Sequence, residues 1–426
     1  MPRNTTPLGE LIQKYRNKDK MTLAQLESKI NITKGSLSKI ENGETKKPEF
    51  KTVQAIASVL NIPFHEYVEI YIEIQQKSDS LRGILEIAIT TPENTSIAPK
   101  IATKFLENEK EDSLELVKQL YSTTASITDT TIQLDLYNSI IDYSRAHGIM
   151  PYIAQGMYQV YMIERNDFSR LNSTYHTGKN ILNYANYLNS NERVVLHYCL
   201  AVHAYSLMLY EDSIQFSEYV IEHTNKNEYK AATINNIIFC FYNLKRFEQS
   251  NHYLEEYKKF NFPYIADNSR MFQGILNMKT GNGELALIQL SSYLECASEY
   301  NLVYVVSELM NIYLQKCDFD TALTLLNYES KMEESLEDAR TTPDKWARLA
   351  SFYQLVGNVL LRLDTNRSFD YYLKSAKEYL KIGITNHALE SLALINTAII
   401  EDSSRFSIEI ARRTNEMYFQ IINKKY

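Results

Sequence analysis

The chain of 426 residues is poor in the residues that break helices and make tight turns. Only 12 glycines and 9 prolines occur in it, and both are disfavoured inside helices. The composition therefore favours helices over a turn-rich β fold. No apolar run approaches the ~20 residues that a membrane-spanning helix needs, and the N-terminus lacks the apolar core of a signal peptide. These absences predict a cytoplasmic protein with no membrane partner.

Motifs for enzyme chemistry and metal binding are also missing. The four cysteines are isolated, form no Cys-x-x-Cys pair, and have no histidine at metal-ligand spacing. The eight histidines are scattered, and the sequence contains no phosphate-binding GxxxxGK[ST] loop, no GxGxxG and no HExxH. We therefore predict no catalytic residue, no metal site and no cofactor. The cysteines are interpreted as reduced residues of helical cores.

The formal net charge of −7 is distributed unevenly. Residues 1–62 contain 11 lysines and arginines against 6 aspartates and glutamates, a formal charge of +5, so the remainder carries −12. A basic head on an acidic body is typical of a protein that contacts nucleic-acid phosphates with one end only.

Residues 22–42, TLAQLESKINITKGSLSKIEN, have the pattern of two short amphipathic helices around a sharp turn. Thr22 and Gln25 have the spacing of a capping box, and Thr33 is a predicted N-cap. Asn31 stands at the turn, where a left-handed backbone is needed. The spacing predicts a helix-turn-helix, whose second helix enters the DNA major groove. Apolar periodicity predicts three further helices, over 7–18, over 49–61 and from residue 63 to about 81.

These five helices resemble the DNA-binding domain of lambdoid phage repressors and of the wider Xre family. The resemblance covers roughly residues 8–62 and includes the run IENGETKKPEF at the end of the second helix and in the following loop. Two positions depart from the family pattern. Leu23 stands where a phosphate-contacting glutamine is common, which removes one expected contact. Glu27 stands where alanine is usual, which predicts an opened helix crossing or a glutamate stem lying across its edge.

Helical geometry points the start of the second helix into the groove, and the resemblance assigns the same positions to base contacts. The predicted base-reading residues are Lys34, Gly35, Ser36 and Lys39. Lysine and serine can donate to base edges, whereas glycine only permits close approach. The predicted phosphate contacts are Asn42, Gly43, Thr45, Lys46 and Lys47, with a merely solvated loop as the alternative for the two lysines. The resemblance also implies an ion pair between Arg16 and Glu41 that clasps the first and third helices.

Beyond residue 100 a helical pattern recurs every 36 or 37 residues. Each copy places a small residue after a turn, at Ser213, Ser250, Ala286 and Ala322. Such a period indicates tetratricopeptide-like repeats, in which the small residue lets the second helix of a pair approach the first. The predicted fold is therefore all-α. It comprises a five-helix helix-turn-helix domain (1–75), a linker helix and loop (76–100), and a tetratricopeptide-like right-handed α-solenoid (101–426) for peptide binding and dimerisation.

The concave face of such an array is suited to an extended peptide. An asparagine side chain can donate and accept hydrogen bonds at once, so it matches the backbone groups of a peptide. Registering the repeats predicts six peptide-binding residues on the inner helices: Asn235, Asn236, Asn311, Asn358, Tyr205 and Tyr242. The alternative is that a chain rich in asparagine and tyrosine places some of them there by composition alone.

The domain order resembles the Rap–NprR–PlcR–PrgX family of peptide-responsive regulators, and is closest to its NprR-like members. The phage arbitrium receptors are a related group. The resemblance implies a cytosolic homodimer whose binding to a double-stranded DNA operator is switched by a short signalling peptide. Two other interpretations stay open. The array could sequester a partner protein, as Rap-like arrays do, or it could only dimerise a constitutive repressor.

Overall fold

The computed structural model describes residues 6–75, 77–338 and 341–423. These residues contain helices and turns but no β-strand, which confirms the all-α prediction. The chain divides into two compact units, one of residues 1–163 and 183–188 and the other of residues 164–182 and 189–426. In the described stretches, no helix combines the length and the apolar character needed to cross a membrane.

Five helices at the start of the first unit form the predicted helix-turn-helix domain. They are α1 (Pro7–Lys18), α2 (Leu23–Ile30), α3 (Lys34–Glu41), α4 (Phe50–Val59) and α5 (Phe64–Ile74). Leu26, Leu37 and Ile56 are at most 1% exposed in their shared core. Burying one such side chain stabilises a fold by roughly 1.5–3 kcal/mol, so the apolar stripes of these helices hold the domain together.

The helix ends follow from local side-chain chemistry, as predicted. The Thr22 side chain accepts a hydrogen bond from the Gln25 backbone N–H, and the Gln25 side chain accepts one from the Thr22 backbone N–H. Thr33 caps α3 by accepting from the Ser36 N–H. Asn31 has a φ of 52°, in the left-handed region. These contacts fix the angle at which α3 leaves α2.

One predicted helix boundary in the first unit is wrong. The helix predicted from residue 63 to about 81 ends at Ile74, because Gln75 is extended and its side chain accepts from the Lys77 N–H. Within the linker helix and loop predicted over residues 76–100, a 3-10 turn, Pro92–Ile97, is followed directly by a helix. The first unit continues through α6 (Ser78–Thr90), α7 (Ala98–Leu106), α8 (Ser113–Ala125), α9 (Thr130–His147) and α10 (Met150–Glu164). The predicted domain boundaries at residues 75 and 100 fall inside this unit and stay predictions.

The second unit is an array of helices that pack on their neighbours in sequence. Its helices are α11 (Leu171–Asn180), α12 (Ser190–Ser206), α13 (Tyr210–His223), α14 (Asn227–Asn243), α15 (Phe247–Tyr257), α16 (Pro263–Lys279), α17 (Gly283–Leu294), α18 (Leu302–Gln315), α19 (Phe319–Thr324), α20 (Glu329–Glu334), α21 (Pro343–Leu360), α22 (Thr365–Lys381), α23 (Thr385–Glu401) and α24 (Ile408–Asn423). The array matches the predicted repeats, and its right-handed sense stays a prediction.

The small residues of the repeats lie where two helices of a pair touch. The Ser213 hydroxyl in α13 donates to the Ala201 carbonyl in α12 at 2.8 Å, and the Ser250 hydroxyl in α15 donates to the Ile238 carbonyl in α14 at the same distance. Ala286 and Ala322 are fully buried. A larger side chain at these positions would push the paired helices apart.

The interpretation of the cysteines as core residues is correct for two of the four. Cys199 and Cys240 are buried, whereas Cys296 and Cys317 are exposed. Cys296 follows the end of α17, and Cys317 has a φ of 57° in the turn after α18. Both exposed cysteines therefore occupy turns between helices, where a side chain is not enclosed by a second helix.

Candidate DNA-binding surface and groove cavity

The predicted base-reading residues share one exposed side of α3. Lys34, Gly35, Ser36 and Lys39 are all exposed, whereas Leu37 and Ile40 on the other side are buried. Burial of that apolar side fixes the rotation of α3 about its axis. The domain thus presents two lysines and a serine together on a helix of the kind that enters the major groove.

The predicted phosphate-contacting loop is held by hydrogen bonds to α3 and to α5. The Thr45 N–H donates to the Lys39 carbonyl at 3.1 Å, and Gly43 has a φ of 73° that glycine adopts without strain. At the far end, the Tyr71 hydroxyl donates to the Pro48 carbonyl at 3.0 Å. Lys46 and Lys47 are exposed on this anchored loop.

Arg16 and Glu41 form a two-pronged ion pair between α1 and the end of α3. Arg16 Nε lies 2.6 Å from Glu41 Oε1, and a terminal nitrogen of Arg16 lies 2.8 Å from Oε2. The other terminal nitrogen donates to the Met21 carbonyl at 2.7 Å. The side chains are 13% and 5% exposed, respectively. The hydrogen bond to Glu41 raises the pKa of Arg16, so the guanidinium stays charged.

Glu27 spans the helix crossing at the position where the family pattern has alanine. Its Oε1 accepts a hydrogen bond from the Lys34 backbone N–H at 3.0 Å. This geometry corresponds to the predicted glutamate stem across the edge of the crossing. A carboxylate at a helix N-terminus satisfies a free amide and complements the helix dipole. It also places a negative charge beside the predicted base-reading residues.

The second unit contains a cavity of about 770 Å³, which we call the groove cavity, whose lining residues belong mainly to α12, α14, α16 and α18 and to the turns before α18 and α21. Its polar lining includes Asn235, Asn236, Asp267, Asn268, Asn301 and Asp344. Its aromatic lining comprises Tyr198, Tyr205, Phe239, Tyr257, Tyr264, Tyr300 and Tyr304. The volume is in the range of pockets that hold small ligands, and tyrosines with a few placed polar groups are a usual lining.

Three asparagines form a ladder along the wall of this groove cavity. Asn235, Asn268 and Asn301 follow one another at intervals of 33 residues, and each lies on a successive repeat. Asn301 Nδ2 donates to Asn268 Oδ1 at 2.8 Å, and Asn268 Nδ2 lies 3.5 Å from Asn235 Oδ1. Neither Asn268 nor Asn301 is among the peptide-binding residues predicted from sequence, although the constant interval of 33 residues is a signal that could identify them.

Two aspartates of the lining are held in place by hydroxyl and amide donors. Asp267 accepts from the Tyr293 hydroxyl at 2.8 Å, the Ser298 hydroxyl at 2.7 Å and Asn301 Nδ2 at 2.9 Å. Asp344 accepts from the Tyr304 hydroxyl at 3.0 Å. Burial raises the pKa of Asp344, and hydrogen bonds from Thr342 and Tyr304 oppose that change.

The structure brings together three of the six predicted peptide-binding residues. Asn235, Asn236 and Tyr205 line the groove cavity, whereas Asn311, Asn358 and Tyr242 are not among its lining residues. Asn358 is exposed and accepts from the Tyr372 hydroxyl at 2.7 Å. Asn311 Oδ1 lies 3.4 Å from Gln315 Nε2 on the same helix. Burial raises the pKa of Tyr242, which packs against the core of the array.

Comparisons with known proteins support the assignment of a helix-turn-helix domain at the N-terminus. Residues 12–67 match the family model described as "Helix-turn-helix". Over 81 residues, or 19% of this chain, the sequence is 30% identical to the uncharacterized HTH-type transcriptional regulator RghRB of Bacillus subtilis (strain 168). The match covers 58% of that relative's length. The chain thus carries a DNA-binding domain of the helix-turn-helix type.

Two solved structures share a likeness with most of the chain. A Rap protein complexed with competence and sporulation factor is 11% identical, with a TM-score of 0.40 over 77% of this chain and 98% of that one. PlcR of Bacillus thuringiensis, in complex with the peptide PapR7 and DNA, is 15% identical, with a TM-score of 0.27 over 92% and 98%. Likeness at this level does not by itself indicate a function.

Proposed function

We propose that this protein is a cytoplasmic transcriptional regulator whose binding to a double-stranded DNA operator is controlled by a short signalling peptide in the groove cavity. One observation carries the proposal. A chain that begins with a helix-turn-helix domain also contains, in its repeat array, a ligand-sized cavity lined by an asparagine ladder and tyrosines. A protein that only binds DNA through its helix-turn-helix domain needs no such cavity.

The DNA-binding half of the proposal is supported by exposure and charge. Lys34, Ser36 and Lys39 lie on the exposed side of α3 for base contacts, and the anchored loop carries Lys46 and Lys47 for phosphates. The formal charge of +5 over residues 1–62 draws this end of the chain to nucleic acid. Phosphate contacts position the domain, and base contacts set its sequence preference.

Replacing two lysines separately should distinguish these roles. We expect Lys39→Ala to weaken operator binding by ~1–3 kcal/mol while non-specific binding changes less. Lys46→Ala should weaken binding evenly across sequences and reduce the salt slope of log affinity by about one. Fluorescence anisotropy with a selected operator and a scrambled duplex over a salt series measures both effects. Lys118→Ala, an exposed lysine of α8, is the control. Equal, uniform losses in both variants would refute the assigned faces.

The peptide-binding half is supported by the match between the cavity and a peptide's chemistry. Its volume suits a few residues of extended chain, and tyrosine rings supply apolar contact area with few rotatable bonds. The resemblance of the domain order to the Rap–NprR–PlcR–PrgX receptors supports the same assignment. Peptide binding would favour one arrangement of the array and so change the DNA affinity of the reader by a population shift.

This control is tested by measuring operator affinity of the full chain with and without synthetic hexapeptide mixtures. A peptide-dependent change in affinity supports the proposal. An operator affinity that no peptide alters would favour the constitutive repressor. Calorimetric binding of a partner protein without any peptide response would favour sequestration.

The proposed homodimer is supported by apolar side chains at the C-terminal end of the array. Ile400 is 84% exposed, and Ile408, Phe419 and Ile422 on or at the start of α24 are more than half exposed. Burial of such residues against a second copy would remove apolar surface from water. A dimer places two readers on half-sites about one helical turn of DNA apart.

We therefore expect Ile408→Asp combined with Phe419→Asp to raise the dimer dissociation constant by at least roughly tenfold, which corresponds to about 1.4 kcal/mol. Sedimentation velocity over a concentration series gives the constant. Ile288→Asp, at a residue of α17 that is 66% exposed, is the matched control and should leave the constant unchanged. A wild-type chain that sediments as a monomer at all concentrations would refute the assignment.

A further inference from the structure

The amide donor of Asn236 is already used inside the wall of the groove cavity. Asn236 is 8% exposed, and its Nδ2 donates to the Ser213 hydroxyl oxygen at 2.8 Å. The Ser213 proton is directed to the Ala201 carbonyl at 2.8 Å, so the serine can only accept from Asn236. The orientation of the amide is therefore fixed by chemistry. Its carbonyl oxygen is the group left for a ligand.

The same holds further along the ladder. Asn301 Nδ2 lies 2.9 Å from Asp267 Oδ2, and a carboxylate can only accept, so the nitrogen of Asn301 faces Asp267. That nitrogen also donates to the oxygen of Asn268 at 2.8 Å. With its oxygen occupied, Asn268 directs its own nitrogen to the Tyr257 hydroxyl at 2.9 Å. Asn268 and Asn301 thus direct their amide donors to the protein itself.

Hydroxyl donors of the wall are also turned inward. The hydroxyls of Tyr293 and Ser298 donate to Asp267, and the hydroxyl of Tyr304 donates to Asp344. Around Asp267, Asn268 and Asn301 the wall therefore offers a ligand lone pairs and negative charge, while the Tyr257 hydroxyl, which accepts from Asn268, keeps its own proton. This differs from the sequence-based expectation that each asparagine would both donate to a peptide and accept from it.

The charge of the lining has one sign among the residues that the structure describes. Asp267, Glu299, Asp338 and Asp344 line the groove cavity, and no lysine or arginine does. The nearby Lys345 ammonium donates to the Ser335 carbonyl at 2.7 Å and lies 4.0 Å from the Tyr300 ring centroid. Burial raises the pKa of Asp344 and the charge of Arg348 opposes that rise, so that carboxylate already has a cation of the protein acting on it. A cation for Asp267 and Glu299 is left for the ligand to supply.

Building on the proposed peptide control, we propose that the groove cavity selects a peptide that inserts a cationic nitrogen, a guanidinium or an ammonium group, between Asp267, the Asn236 oxygen and the tyrosine rings. Such a group brings several N–H donors to the carboxylate of Asp267 and the amide oxygen of Asn236. Charge-assisted hydrogen bonds are about twice as strong as neutral ones, and a cation over a tyrosine ring gains further attraction. The nitrogen comes either from an arginine or lysine side chain or from the peptide's free amino terminus.

The test uses the full chain and defined peptide mixtures. Four hexapeptide libraries contain either a fixed arginine or a fixed citrulline, each with a free or an acetylated amino terminus, and the random positions omit lysine, arginine and histidine. Citrulline replaces the guanidinium by a neutral group of nearly the same shape. Peptides retained by the protein after gel filtration are quantified by mass spectrometry.

We expect at least one charged library to be retained about tenfold or more over the acetylated citrulline library. Dependence on arginine alone assigns the cation to a side chain, and dependence on the free terminus alone assigns it to the amino group. Equal retention of all four libraries would overturn the inference and leave peptide binding intact. No retention of any library would overturn the proposed peptide control, and the inference with it.

Variants of the wall provide a second readout. Asp267→Asn and Glu299→Gln should each lower the charged-to-neutral retention ratio severalfold. Glu284→Gln, at an exposed carboxylate of α17 outside the groove cavity, should leave the ratio unchanged. Asp267 also orders three donors, so its variant can lose structure. Glu299 is exposed and lies outside that network, so its variant stays informative. An unchanged ratio in both folded cavity variants contradicts the inference.

Discussion

Arg16→Ala is expected to destabilise the helix-turn-helix domain by about 3–5 kcal/mol and to abolish operator binding with it. Removing the arginine takes the partner from the carboxylate of Glu41, whose side chain is 5% exposed beside Arg16, and an uncompensated buried charge is costly. The Met21 carbonyl before α2 loses a donor as well. Because the pair joins α1 to the end of α3, its loss frees the recognition helix from its support.

Hydrogen exchange of the α1 and α3 amides in the full chain measures this loss of stability locally, without requiring the two units to unfold together. Arg82→Ala is the matched control, because Arg82 pairs with Asp79 at the surface, where the side chains are 44% and 89% exposed. An exposed pair of this kind contributes ~0–1 kcal/mol. Equal protection in the two variants would show that the clasp does not support α3.

Gly9→Ala should destabilise the same interface by a steric route. A Cβ at residue 9 would lie 2.5 Å from the Glu41 carbonyl oxygen and 2.7 Å from that of Ile40. Both are backbone atoms of α3 and cannot rotate away, so α1 and α3 must separate. We expect a net loss of roughly 1–3 kcal/mol, even though alanine is the better helix former, and a shift of α3 that weakens operator binding.

Gly35→Ala, in the recognition helix α3 itself, is expected to increase stability where Gly9→Ala lowers it. A Cβ there meets nothing within 4 Å, so the substitution should stabilise α3 by roughly 0.5–1 kcal/mol. Amide exchange reports stability, and anisotropy with operator DNA reports binding, for both variants. A Gly9→Ala protein as stable as the wild type would contradict the close approach of the two helices.

The helix-turn-helix domain could be predicted from sequence because its helix ends are set by side chains close together in the chain. The caps at Thr22 and Thr33 and the left-handed Asn31 depend on residues within three positions of one another, so their spacing is visible in the chain. The break after Ile74 was not predictable in this way. No glycine or proline marks it, the polar residues 75–80 are compatible with an exposed helix turn, and the extended Gln75 is held by the bond that its side chain accepts from the Lys77 N–H.

The sequence predicts that the repeat array has a peptide-binding face, but it does not identify most of the residues that line the groove cavity. Asn235 and Asn236 were found from repeat register, but Asn268 and Asn301 acquire meaning from partners on neighbouring repeats. Which atom of each amide faces the cavity depends on Ser213, Tyr257 and Asp267 in the folded array. Sequence spacing gives the position of an asparagine but not the direction of its donor.

The carboxylate of Glu27 has a consequence for how the domain searches a genome. A recognition helix whose first amide is occupied cannot offer that amide to a phosphate oxygen, which a helix N-terminus otherwise attracts. Non-specific affinity arises almost entirely from phosphates, and a genome presents about 10⁶–10⁹ competing sites. A negative charge at this point therefore shortens the time spent on wrong sequences, where no base contacts compensate for it. More of the protein remains free to reach its operator.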